Sequence, residues 1–134
     1  MSEIVNAIMQ VPNLYKLKKC SLEDVSEAQK KLKLKFSNEY IDYVTNFGVI
    51  SFYGTEWTGL NVEGYLNVVE ATEDERNLHN DFPKDCFVIE NLQIEDAVVI
   101  SDEEGKIYEY FNGTKKLICE NLLEYLKKCL LRKQ

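Results

Sequence analysis

One histidine, four cysteines and an excess of carboxylates are the residues of this 134-residue chain that could carry chemistry. His79 stands alone, which excludes a two-histidine phosphodiester mechanism and any multi-histidine metal site within one chain. A cysteine nucleophile needs a base within hydrogen-bond reach. Cys86 could meet His79 across the turn at Pro83, yet it reads more simply as an ordinary strand residue. Cys129 falls at the core spacing of a final helix, where buried thiols are common. Cys20, Cys86, Cys119 and Cys129 contain no CxxC pair, so the short-range pairing usual at zinc sites is absent. Glu95-Asp96 and Asp102-Glu103-Glu104 fall in predicted turns, and exposed turn acids usually stay solvated and unperturbed. Asp102–Gly105 is too short for a calcium loop, and neither GxxxxGK[ST] nor GxGxxG occurs. The expectation is a protein that is not an enzyme and needs no cofactor or metal.

Charge is unevenly spread. Residues 63–104 hold thirteen acids against two bases, a local −11, while residues 1–62 balance and 105–134 carry +4. Such a field repels nucleic acid and favours a basic partner. Phe52, Tyr53, Trp57, Tyr65, Tyr108 and Tyr110 would need basic neighbours to stack single-stranded nucleic acid. Beside carboxylates they suit a protein interface instead, in which aromatics anchor and acids steer. With 45% hydrophobic and 29% charged residues the chain reads as one soluble domain over residues 1–134. It has no apolar run long enough for a membrane span. The N-terminus lacks the pattern of a signal peptide, and together with the unpaired cysteines this predicts reduced thiols and a cytoplasmic location.

These residues must be positioned by recognisable elements. Phe87–Cys119 organises the rest. Ala97–Ile100 is an apolar run suited to a strand covered on both faces, Asp102–Gly105 a turn, and Lys106–Phe111 an alternating strand. Asn112-Gly113 is a strong hairpin signal, returning as Thr114–Cys119. This three-stranded meander needs a cover, and the helix Leu122–Leu131 follows at once. Upstream, Ser2 caps a short helix over residues 3–10. Ser21 with Asp24 resembles a capping box for a helix burying Leu22, Val25, Ala28 and Leu32. Ser37 caps the next, burying Tyr40, Ile41, Val44 and Phe47 and ending at Gly48. Leu14–Cys20 is either a basic connector or a brief extended segment. Val49–Thr58 has strand composition, Leu60-Asn61-Val62 suggests another short strand, and Tyr65–Val69 an extended segment. Thr72-Glu73-Asp74-Glu75 reads as the capping box of an acidic helix running to about His79. Glu90–Asp96 reads as a link.

In this order the chain resembles the SMI1/KNR4 family of the SUKH superfamily. The residues that carry the resemblance are Val25-Ser26-Glu27-Ala28-Gln29, Phe36-Ser37, Tyr40-Ile41-Asp42-Tyr43-Val44 and Asn46-Phe47-Gly48, followed by Gly59-Leu60. Val98–Ile100, Asp102–Gly105, Ile107–Phe111 and Leu122–Leu130 continue it, so that it spans roughly residues 20–131. The resemblance implies an α+β fold, a mostly antiparallel, twisted sheet flanked by helices. It implies an immunity protein that binds and neutralises a bacterial toxin, often a nuclease, or else a non-catalytic regulatory or scaffolding module. The partner would be a cognate toxin with a basic surface. Charge and exposure, independently of any family motif, nominate the contact residues: Tyr53, Glu56 and Trp57 from the early strands, Glu73 and Asp74 from the acidic helix, and Glu95, Asp96, Asp102, Glu103 and Glu104 from turns.

Overall fold

The computed structural model describes residues 2–94 and 96–132. Its helices begin where side chains can satisfy free backbone amides. In α1 (Glu3–Met9) the Ser2 hydroxyl accepts from Val5 N at 3.3 Å. In α2 (Leu22–Leu32) Ser21 and Asp24 exchange bonds of 3.0 and 3.1 Å, a complete capping box. Ser37 starts α3 (Asn38–Phe47) by accepting from Tyr40 N at 3.2 Å. Two inner stripes shift slightly. Leu22, in the first turn of α2, is 70% exposed, because α2 buries Val25, Ala28 and Leu32 and that stripe leaves Leu22 outside it. In α3 Tyr43 is buried and Ile41 only partly so.

The segment Leu14–Cys20 supplies the short strand β1 (Tyr15–Lys16), which pairs antiparallel with β2 (Ile50–Phe52), itself paired with β3 (Thr55–Trp57). Gly48 ends α3 at φ 75°, where a Cβ would come within 2.3 Å of Lys18 O. No strand forms at Leu60–Val62. A 3-10 turn, Gly64–Leu66, follows, and α4 (Val68–Leu78) starts four residues before the predicted box. Asn67 is its cap, accepting from Val69 N and Glu70 N at 2.9 and 3.0 Å. Thr72 is buried in mid-helix and its hydroxyl accepts from Val88 N at 3.0 Å.

The meander gains a strand. β4 (Phe87–Asn91), β5 (Val98–Ser101), β6 (Ile107–Phe111) and β7 (Thr114–Cys119) pair antiparallel in sequence order. Asn112 and Gly113 join β6 to β7 with φ of 53° and 80°, as a two-residue hairpin of primed type requires. Both faces of β5 are buried. Ile89, Val99 and Ile107 join the main core with α1, α2, α3 and α5 (Leu122–Leu130), while Val88, Val98, Ile100 and Tyr110 pack with Ala71 and Phe82 on the opposite face. Thr58 couples the two sheets: its N donates to Ile89 O and its hydroxyl to Val88 O, both at 2.7 Å. The fold is α+β, with three- and four-stranded antiparallel sheets flanked by helices. Among the described residues no helix is long and apolar enough to cross a membrane.

Candidate functional site

The structure sorts the nominated residues into different places. Trp57 is fully buried, stacked on Tyr125 with ring centroids 5.9 Å apart and edge-on to Tyr43 at 5.3 Å. It therefore supports a surface rather than forming one. Asp102 is also buried. Its Oδ1 accepts from Glu104 N and Lys106 N at 3.0 Å each, and its Oδ2 from the Tyr108 hydroxyl at 2.9 Å. That carboxylate is occupied in shaping its own turn. Glu103 accepts from Lys35 N at 2.9 Å and, with Glu104, borders a cleft beside Ser37 and Glu39. Glu73 faces a groove between α2 and α4, shared with Asp24, Glu27 and Lys31. Tyr53 is half-buried in the β2–β3 turn at φ 46°, its ring edge-on to Phe52 at 5.8 Å. Glu95 lies outside the described residues.

Glu56, Asp74 and Asp96 come together along one strip. Glu56 Oε1 accepts from the Tyr65 hydroxyl at 2.7 Å. Tyr65, Asp74, Glu75, Leu78, Asn91 and Asp96 border a cleft of about 180 Å³. Asn91 also borders the next one, about 320 Å³, with Glu56, Ile94 and Arg132. Tyr65, Leu78 and Ile94 are 49%, 72% and 65% exposed. Single exposed apolar residues are ordinary, but three on adjoining clefts, rimmed by carboxylates, are the kind of surface that marks an interaction site.

Local chemistry holds the strip in place. The turn between β4 and β5 closes through Gln93 N donating to Asn91 Oδ1 at 2.7 Å and Ala97 N to Ile94 O at 2.9 Å. Asp96 takes φ 64°, which a short polar side chain tolerates. Glu75, on the inner side of α4, has its carboxyl pushed above the ordinary range by burial. His79 opposes that shift, and Asp96 and Asp74 reinforce it. Glu90 is buried near the adjoining cleft and accepts from the Tyr125 hydroxyl and from Arg132 Nη1, the latter at 2.8 Å. With both oxygens taken, it serves as a structural ion pair.

Nucleophilic and metal chemistry find no arrangement among the described residues. Burial pushes the thiols of Cys20 and Cys129 up to about 11 and that of Cys86 up to about 12. Cys86 Sγ contacts Asp85 Oδ1 at 3.7 Å, whereas His79 turns to Glu75 and to the Tyr110 ring, 5.7 Å away. No group of three or more His, Cys, Asp or Glu is placed to hold a metal ion.

A family model, SUKH_5, described as SMI1-KNR4 cell-wall, matches residues 1–131. The chain belongs to the SMI1/KNR4 family. No curated protein matches it. Of the residues nominated from the sequence of this SMI1/KNR4 protein, Glu56, Asp74 and Asp96 line the strip, whereas its apolar members were not nominated. Leu78 lies outside the buried residues of α4, Val68, Val69, Ala71, Thr72 and Glu75. Ile94 shares its turn with Leu92, which packs against the core while Ile94 stays exposed. Tyr65 carries an aromatic signal in the sequence but none for its exposure.

Proposed function

We propose that this SMI1/KNR4 protein is a non-catalytic immunity protein that binds a bacterial toxin of the nuclease type and occludes its active site. The observation that carries this reading is the strip in which Glu56, Asp74 and Asp96 alternate with exposed Tyr65, Leu78 and Ile94. Family membership supports a protein partner. An acidic face with aromatic and aliphatic anchors complements a basic nucleic-acid cleft, steering encounter by charge and holding the complex by apolar burial. Tyr53 extends this face, and Glu73, Glu103 and Glu104, on other clefts, add long-range steering. The test is co-expression with the toxin domain encoded beside this chain, following growth and capture of the complex. Restored growth with a captured complex supports the reading. No rescue and no complex, with the protein folded and expressed, would move it to a regulatory or scaffolding module.

A further inference from the structure

Glu75 is held in an unusual way. It is 9% exposed, while Glu73 and Asp74 beside it on α4 are exposed. Its Oε1 is buried with no hydrogen-bond partner. His79 Nε2 stands 3.8 Å from that oxygen, and among the described residues no Lys or Arg pairs with it. Arg76, the base on the same helix, is committed elsewhere, donating to Leu32 O and Lys84 O at 2.9 and 3.1 Å. A buried carboxylate oxygen without a hydrogen-bond partner is costly, and Glu75 lines a cleft that a cationic group of a partner can enter.

The cleft has the other features such a guest needs. Asp74 and Asp96 flank Glu75, Leu78 and Val98 offer apolar walls, and the Tyr65 ring stands among its lining groups. Among the described residues no carboxylate group is arranged to hold a metal ion, and the negative charge of the cleft favours a cationic guest. We infer that this cleft receives an arginine side chain of the protein partner. Its guanidinium would pair with the Glu75 carboxylate and its stem would lie along Leu78 and Val98. Arginine fits better than lysine, because its planar fork serves several carboxylate oxygens at once, is weakly hydrated and stacks on aromatic rings. This assignment rests on the partner-binding reading above and makes it specific.

The experiment is an amide NMR titration of the whole chain with N-acetyl-arginine amide, with the citrulline analogue as its uncharged isostere. Shifts are expected at the amides of residues 74–78 and 96–98 with arginine only. Affinity should fall about tenfold in Glu75→Gln, and more modestly in Asp96→Asn, where the replaced side chain is exposed and folding is not at risk. Equal shifts with both probes, largest shifts in the groove of Asp24, Glu27 and Glu73, or undiminished binding in both variants would overturn the inference. The titration contains no toxin. Its failure beside intact growth rescue removes the arginine cleft alone, whereas arginine binding without rescue leaves the cleft and removes the toxin.

Discussion

Arg132 Nη1 lies 2.8 Å from Glu90 Oε2, fastening the last described residue to β4, an edge strand of the four-stranded sheet. The same guanidinium donates to Thr55 Oγ1 at 2.9 Å and to the Tyr125 hydroxyl at 3.2 Å, so strand, sheet and final helix meet on one cation. Glu90 is buried and Arg132 about a third exposed, so removing the arginine leaves the buried carboxylate uncompensated while solvent offsets part of the cost. Arg132→Ala should therefore lower unfolding stability by about 2 kcal/mol, read from urea denaturation with unchanged slope. A loss within experimental error would mean that the pair is solvated.

Glu75 gives a pH signature. Burial raises its folded-state pKa above the ordinary value of 4.5, so the ionised form is disfavoured in the fold. That cost is absent below 4.5 and fully present above the shifted value. His79 opposes it, while Asp74 and Asp96 add to it. Glu75→Gln should accordingly melt higher than the parent at neutral pH, and the gap should close as pH falls through the carboxylate range. A gap independent of pH would place the effect in packing instead.

The thiols should be silent in the native state. All four cysteines are buried and free, and Cys20, Cys86 and Cys129 hold their protons to about 11, 12 and 11. Since the thiolate is the reactive species, iodoacetamide at about pH 8 should label none of them and all of them after unfolding in urea. Rapid native labelling, counted by mass spectrometry, would contradict the burial.

Charge reversal should map the interface. Asp74→Lys and Asp96→Lys should each weaken toxin affinity about tenfold at low ionic strength and less at high salt. Glu104→Lys, in the cleft by Lys35 and Ser37, should change affinity by less than about threefold. Calorimetry at two salt concentrations makes the comparison. An equal loss at Glu104 would extend the interface to that cleft.

Much of the fold was legible because its signals are local. Ser21 with Asp24, Ser37, Gly48 and Asn112-Gly113 each specify a turn or cap from a few adjacent residues, and each acts as expected. The failures are non-local. Glu90 reads as a linker residue until Tyr125 and Arg132 arrive, 35 and 42 residues later, to satisfy it inside a strand. Thr72-Glu73-Asp74-Glu75 satisfies the spacing of a cap, but Thr72 is claimed by β4, and the cap passes to Asn67. Trp57 has no exposed alternative once Tyr43 and Tyr125 close around it. The candidate strip was readable only in its charges for a related reason: charge can be counted along a sequence, whereas the exposure of Tyr65, Leu78 and Ile94 depends on what packs elsewhere.

The anchoring of α4 has a consequence for how this surface can change. Asn67 fixes the start of the helix to the preceding loop through Val62 O at 2.9 Å, and backbone bonds tie Val68 to Gly59 at 2.9 Å and Gly59 to Leu66 at 2.8 Å. Below the helix, Thr72 holds the sheet. None of these contacts uses Glu73, Asp74 or Leu78. Substitutions at such exposed positions usually cost little stability. Recognition can therefore be rewritten without renegotiating the fold, so one scaffold can be retuned from one protein partner to the next by a handful of surface changes.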